Sequence, residues 1–125
     1  MKKILATVLL GLSLSASADN NPLWMRFSAI SPDGQTIAFS YKGDIFTVPV
    51  NGGSARQLTT NPAYDAYPVW SPDGQKIAFA SSREGSLDIY LMGKDGGAPK
   101  RLTTNSGDEL PMAFTDDTHV LFSSA

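Results

Sequence analysis

The chain has no cysteine and a single histidine, His119, in 125 residues. Without cysteine there is no disulfide and no residue to carry an N-terminal lipid. Stability must come from packing alone, even in an oxidising compartment. One histidine and no cysteine also make a poor ligand set, so neither a metal centre nor another cofactor is expected. Charge is sparse, with 10 Lys and Arg against 12 Asp and Glu. No basic cluster of the kind a phosphate backbone requires is present, which argues against a nucleic-acid partner. Beyond the first eighteen residues, no stretch sustains a 3.6-residue apolar period, so almost no helix is expected. No apolar run there is long enough to cross a bilayer.

The first eighteen residues have a different character. Lys2 and Lys3 precede an apolar run from Ile4 to Leu14, and Ala16-Ser17-Ala18 is a small-x-small cleavage site. The run is shorter than the roughly 20 apolar residues of a spanning helix. The pattern predicts a helical signal peptide over 1–18, a mature N-terminus at Asp19, and a periplasmic or extracellular location. Removing it leaves 107 residues with 8 basic and 12 acidic side chains.

What remains is a repeat. Ile30-Ser31-Pro32-Asp33-Gly34-Gln35-Thr36-Ile37-Ala38-Phe39 returns 40 residues later as Trp70-Ser71-Pro72-Asp73-Gly74-Gln75-Lys76-Ile77-Ala78-Phe79. Gly43-Asp44-Ile45-Phe46, Asn51-Gly52-Gly53 and Arg56-Gln57-Leu58-Thr59 return at an offset of 44 as Leu87-Asp88-Ile89-Tyr90, Asp95-Gly96-Gly97 and Lys100-Arg101-Leu102-Thr103. The four extra residues fall between Ser81 and Ser86, at an expected hairpin tip. A third, worn copy runs from Phe114-Thr115-Asp116-Asp117 to Val120-Leu121-Phe122-Ser123.

Each block reads as strand or turn. Ser-Pro-Asp-Gly is a tight-turn sequence, with proline presetting φ and glycine supplying a left-handed residue. Thr36–Tyr41 and Lys76–Ser81 carry Ile37, Phe39, Ile77 and Phe79 on one face and small alanines on the other. Ile45–Val50 and Leu87–Met92 are β-branched and aromatic second strands. Gly52-Gly53 and Gly96-Gly97 mark the next turns. Ala55–Thr59 and Lys100–Thr103 are polar outer strands, and Ala66–Trp70 and Leu110–Phe114 supply the remaining short strand. Four short strands per 40 to 44 residues is the period of a propeller blade, a unit apolar on both faces until stacked on neighbours. The expected fold class is all-β, with antiparallel four-stranded blades over about 23–61 and 61–105 and an incomplete third over about 106–125. Closure needs at least four blades. The chain therefore reads as a piece of a longer polypeptide, the other reading being an open three-sheet array completed by self-association.

Trp70-Ser71-Pro72-Asp73-Gly74, Ile77-Ala78-Phe79, Asp88-Ile89-Tyr90 and Arg101-Leu102-Thr103 resemble the TolB-type propeller repeat, shared by TolB, tricorn proteases and prolyl-oligopeptidase-type enzymes. The first blade resembles the opening of tricorn-like serine peptidases at Leu23-Trp24-Met25-Arg26-Phe27, Gly43-Asp44-Ile45-Phe46-Thr47-Val48-Pro49 and Gly52-Gly53-Ser54-Ala55-Arg56-Gln57-Leu58-Thr59. In that family the propeller starts close to the mature N-terminus, whereas TolB places an α/β domain first. The third blade departs from the repeat, with Asp116-Asp117-Thr118 where Pro-Asp-Gly stands elsewhere. The resemblance implies a large exported, homo-oligomeric peptidase whose propeller channels peptide or protein substrates to a serine–histidine catalytic domain. None of that catalytic region lies in these residues, and no catalytic position is assigned. The alternatives are a TolB-like binding propeller and the propeller of a prolyl-oligopeptidase-type hydrolase.

Within the chain, His119 reads as a solvated turn residue. Asp33 and Asp73 are explained by their own turns, and Asp44 and Asp88 by hydrogen bonds to backbone amides where a strand starts. Asp65, Asp108 and Glu109 fall in the connections between blades, on a face where propellers bind partners. Tyr64, Tyr67 and Trp70 form an aromatic group at the start of the second blade, with Trp70 read as core. Tyr64, Asp65, Tyr67, Asp108 and Glu109 are thus the candidate peptide or partner contacts.

Overall fold

A computed structural model describes residues 24–125. The expected signal peptide lies outside them. Three antiparallel sheets follow one another along the chain. The first is β1 (Arg26–Ile30), β2 (Thr36–Tyr41), β3 (Asp44–Pro49) and β4 (Arg56–Gln57), hydrogen-bonded in that order. The second is β5 (Asp65–Trp70), β6 (Lys76–Glu84), β7 (Ser86–Gly93) and β8 (Gly96–Arg101), again in order. β9 (Glu109–Asp116) and β10 (His119–Ser124) form a third, two-stranded sheet. The described residues are all-β, as the repeat predicts.

The Ser-Pro-Asp-Gly turns agree bond for bond. Ser31 Oγ donates to Asp33 Oδ1 at 2.6 Å, the Gln35 amide donates to the same oxygen at 3.0 Å, and the Gly34 amide donates to Ser31 O at 2.9 Å. The second turn repeats the set at 2.6, 3.0 and 2.9 Å through Ser71, Asp73, Gln75 and Gly74. Gly34 and Gly74 have φ of 72° and 68°, so their lack of a side chain is used. The serine hydroxyl and then the amide bond hold each aspartate below its ordinary carboxylate value. In the worn third turn, Asp116 takes over as acceptor from the Thr118 amide (2.7 Å) and hydroxyl (2.9 Å), and His119 Nδ1 lies 2.9 Å from its carboxylate. Asp117 docks this turn on the second sheet by accepting from the Asp73 amide at 2.8 Å.

Strand alternation then builds the core. Ala38 and Ile45 of the first sheet, with Leu58 beyond β4, meet Ile77, Phe79, Tyr90 and Met92 of the second in one cluster. Phe79 is fully buried, and its ring lies 6.0 Å from that of Tyr90. Ala66, Ala78, Ala80 and Ile89 are buried too, and β9 packs against their sheet. Trp70 sits half-buried at the edge of the cluster, its indole N–H donating to Ala29 O at 3.0 Å. Its repeat equivalent Ile30 is exposed. On the third sheet Leu121 and Phe122 are exposed and Phe114 is half-buried.

Several local expectations are corrected. Gly96 and Gly97 begin β8 instead of forming a turn; the turn is Lys94-Asp95, closed by the Gly93–Gly96 pair. The β6–β7 hairpin absorbs its extra residues by lengthening both strands to a tip at Gly85. The outer strands are completed by threonine hydroxyls. Thr59 Oγ1 and Thr103 Oγ1 accept the Ile45 and Ile89 amides, each at 2.9 Å. Asp44 and Asp88, expected to bind nearby backbone amides, instead accept side-chain bonds from Gln57 and Thr59 and from Arg101. The hydroxyl, set by the neighbouring strand, reaches the amide, and the carboxylate is left to side chains. Finally, β1 and β5 each carry a bulge with a left-handed aromatic, Phe27 (φ 53°) and Tyr67 (φ 58°), their rings 3.9 Å apart.

Phe79→Ala should cost about 3–5 kcal/mol by opening a cavity between the first two sheets, seen as a lowered urea midpoint. Asp116 is held at about 2 by its bonds to His119 and then Thr118, against an ordinary 3.8. A depressed carboxylate stabilises above its unfolded value, so that contribution is lost as pH falls through about 2. An NMR titration of Asp116 should place its midpoint there, and a midpoint at the ordinary value would show the turn unformed in solution.

Candidate functional site

The β2–β3 and β6–β7 hairpin tips and the connections into β5 and β9 gather at one end of the sheets. The Ser-Pro-Asp-Gly turns lie at the other. At the first end, a cleft of about 450 Å³ opens between the first sheet and the connection that leads into the second. Arg26 of β1 and Ser40 of β2 form one wall, the Lys42-Gly43 turn another, and Pro62 to Tyr64 a third, with Trp24 at the rim.

Local chemistry fixes these walls. Lys42 and Gly43 have φ of 50° and 84°, the two left-handed residues of a tight hairpin turn. The Gly43 carbonyl accepts the Asp65 amide at 2.8 Å, tying the second sheet's first strand to the first sheet's hairpin. Asn61 Oδ1 accepts the Ala63 amide at 2.9 Å and rounds the connection. Ser82 clamps Tyr64 from both sides: its hydroxyl accepts the Tyr64 amide at 3.0 Å, and its amide donates to Tyr64 O at 3.1 Å. The Tyr64 backbone is therefore held while the residue stays 43% exposed at the cleft.

The five candidate contacts separate. Tyr64 lines the cleft. Tyr67 is half-buried and packs its ring, tilted by 34°, against Phe27, away from it. Asp108 is exposed and accepts the Leu87 amide at 2.9 Å, a brace between the second sheet and the third. Asp65 and Glu109, expected in loops, are the buried first residues of β5 and β9. Asp65 is part of the frame, because Arg83 donates to its Oδ2 at 2.9 Å and to Ser81 Oγ at 3.1 Å. The same guanidinium lies 5.2 Å from the Tyr90 ring centroid and 5.6 Å from that of Phe79. Ser81 pairs with both Asp65 and Asp88 across the sheet, and Arg101 holds Asp88 at 2.8 Å. This ionic row closes the hairpin end of the apolar core. Nearby Asp44 is raised by burial, with the Asp65 charge adding to the effect.

Sequence reasoning missed Trp24, Arg26 and Lys42 as cleft residues. The left-handed turn at Lys42 has no strong signal in Lys-Gly, and Arg26 reaches the cleft through the register of β1 on β2, which sets it opposite Ser40. His119 offers no catalytic relay. Asp116 and Thr118 both lie on its Nδ1, at 2.9 and 3.0 Å, whereas a relay needs acid and hydroxyl on opposite ring nitrogens. Among the described residues, no group of three or more His, Cys, Asp or Glu is placed to hold a metal ion.

The sheets, their repeat and this inter-sheet arrangement have known relatives. The tricorn protease N-terminal beta propeller domain family matches residues 22–125. The chain belongs to that family. Tricorn protease homolog 1 of Streptomyces coelicolor is 34% identical over 82 residues, which is 66% of this chain and 8% of that protein. Among solved structures, a TolB from Agrobacterium tumefaciens superposes with a TM-score of 0.75 at 27% identity, over 84% of this chain and 40% of that one. The tricorn protease superposes with a TM-score of 0.67 at 26% identity, over 79% of this chain and 10% of that one. The chain thus spans a small part of the tricorn-type proteins it matches, and it is a propeller segment of a tricorn-like protein.

Arg83→Ala should destabilise this tricorn-type propeller segment by about 3–5 kcal/mol, since it strands the buried Asp65 carboxylate. Arg83→Ala combined with Asp65→Asn should recover part of that loss. Thermal unfolding of the two variants beside the unaltered protein checks it, and a melting temperature of Arg83→Ala equal to that of the unaltered protein would show the pair to be unimportant.

Proposed function

We propose that these residues open the propeller of an exported tricorn-like serine peptidase, which passes peptides to a catalytic centre carried elsewhere in the full-length protein. The family match across 22–125 carries this reading. The cleft with Tyr64 at one end of the sheets supports a peptide-handling role for the segment itself. Catalysis is assigned elsewhere because the one histidine here is bound within its own turn. The leader features at residues 2–18 support export, and the kinship to tricorn-type proteins supports a homo-oligomeric parent acting on peptide or protein substrates.

A second reading is a binding propeller without catalysis, favoured by the high structural similarity to TolB. The likeness to the AtxE2 isopeptidase, at 16% identity, extends to the fold alone. The full-length protein should hydrolyse peptides and lose that activity to a serine-directed covalent inhibitor, while residues 19–125 alone should not. Full-length protein without inhibitor-sensitive peptidase activity would favour the binding propeller. N-terminal sequencing of the mature protein should begin at Asp19, and a retained Met1 would remove the export assignment.

A further inference from the structure

We infer that the cleft between the first sheet and the connection into the second is a subsite for acidic side chains of an extended peptide, an assignment that rests on the peptide-handling role proposed above. The chain as a whole is acidic, with a formal net charge of −2. Yet the cleft is lined by two cations, Arg26 and Lys42, and by no carboxylate among the described residues. The nearest acid in sequence, Asp44, is engaged by Gln57 at 3.0 Å and Thr59 at 3.2 Å. Neither cation has a carboxylate partner among the described residues. Each lies on an aromatic ring instead, the Arg26 guanidinium 5.7 Å from the Trp24 centroid and Lys42 Nζ 5.3 Å from that of Tyr41. Such contacts orient a cation without neutralising it.

Lys42 supplies the second observation. It occupies a left-handed position where hairpin turns favour Asn, Asp or Gly, and a long side chain is a costly choice there. Asparagine would suit the turn better, so the turn itself does not account for a lysine. What lysine adds is a positive charge at the mouth of the cleft. Trp24, 64% exposed, and Tyr64 with its clamped backbone add flat apolar walls for the residues flanking an acidic side chain. The volume lies within the range of about 300–1,000 Å³ common for ligand sites. A nucleic acid fits poorly, because two cations on an acidic chain do not make a phosphate track.

The test uses the full-length protein and short peptides acetylated and amidated at their ends, matched except for Glu against Gln. Fluorescence anisotropy should show the Glu peptide binding about tenfold more tightly, with the gap shrinking at raised ionic strength. Lys42→Asn should remove most of the gap without lowering the melting temperature, and Arg26→Gln should narrow it. Lys94→Asn, at the opposite end, should leave it intact. Equal binding of the two peptides, or a gap that survives both cleft variants, overturns the assignment. So does a preference that appears only when the peptide has a free C-terminal carboxylate. If neither peptide binds, the peptide-handling role fails together with the subsite; if both bind equally, the subsite alone fails.

Discussion

The contact between the first and second sheets governs this molecule. Beside Ala38 and Ile45 of the first sheet, Ile77, Phe79, Tyr90 and Met92 pack from the opposing sheet. Neither sheet could keep those faces in water: burying one large apolar side chain contributes about 1.5–3 kcal/mol, and four meet here. Small Ala38 lets the backbones approach, and the arrangement at the hairpin end follows from that approach. Asp65 can donate its amide to Gly43 only because the second sheet's first strand lies beside the first sheet's hairpin.

Polar groups seal the ends of this apolar contact in two ways. At one end, the serine and aspartate of each Ser-Pro-Asp-Gly turn accept amides within the same few residues. At the other, the groups depend on partners far along the chain. Arg83 joins Asp65 and Ser81 beneath two aromatic rings, and Ser40 Oγ donates to Asp65 O at 2.8 Å across the sheets. The first kind of polarity gives a repeat its shape. The second fixes how one repeat sits on the next, and so forms the walls of the cleft.

The cleft differs from its surroundings in sign and in stiffness. Its cations rest on aromatic rings, its tyrosine backbone is bonded on both sides, and its hairpin turn carries a left-handed lysine. A site that is already ordered loses little further freedom when a ligand arrives. The proposed acidic-peptide subsite would therefore draw on both repeats, since neither alone holds the complete set of lining groups.

The strands, the Ser-Pro-Asp-Gly turns and the large-and-small alternation were legible from the residues alone, because each is a short-range pattern that recurs at offsets of 40 and 44. The burial of Phe79 and Ile77 beside small alanines was legible for the same reason. The tertiary structure decided what depends on distant partners. It turned Asp65 and Glu109 from loop acids into buried ones, gave the strand amides to Thr59 and Thr103 in place of Asp44 and Asp88, and bulged Phe27 and Tyr67 into left-handed backbone. It also brought Trp24, Arg26, Lys42 and Tyr64 to one cleft. Periodicity specifies what a residue does within its own repeat, whereas burial, ion pairing and the walls of a site are set by the face of the neighbouring sheet, which no local pattern encodes.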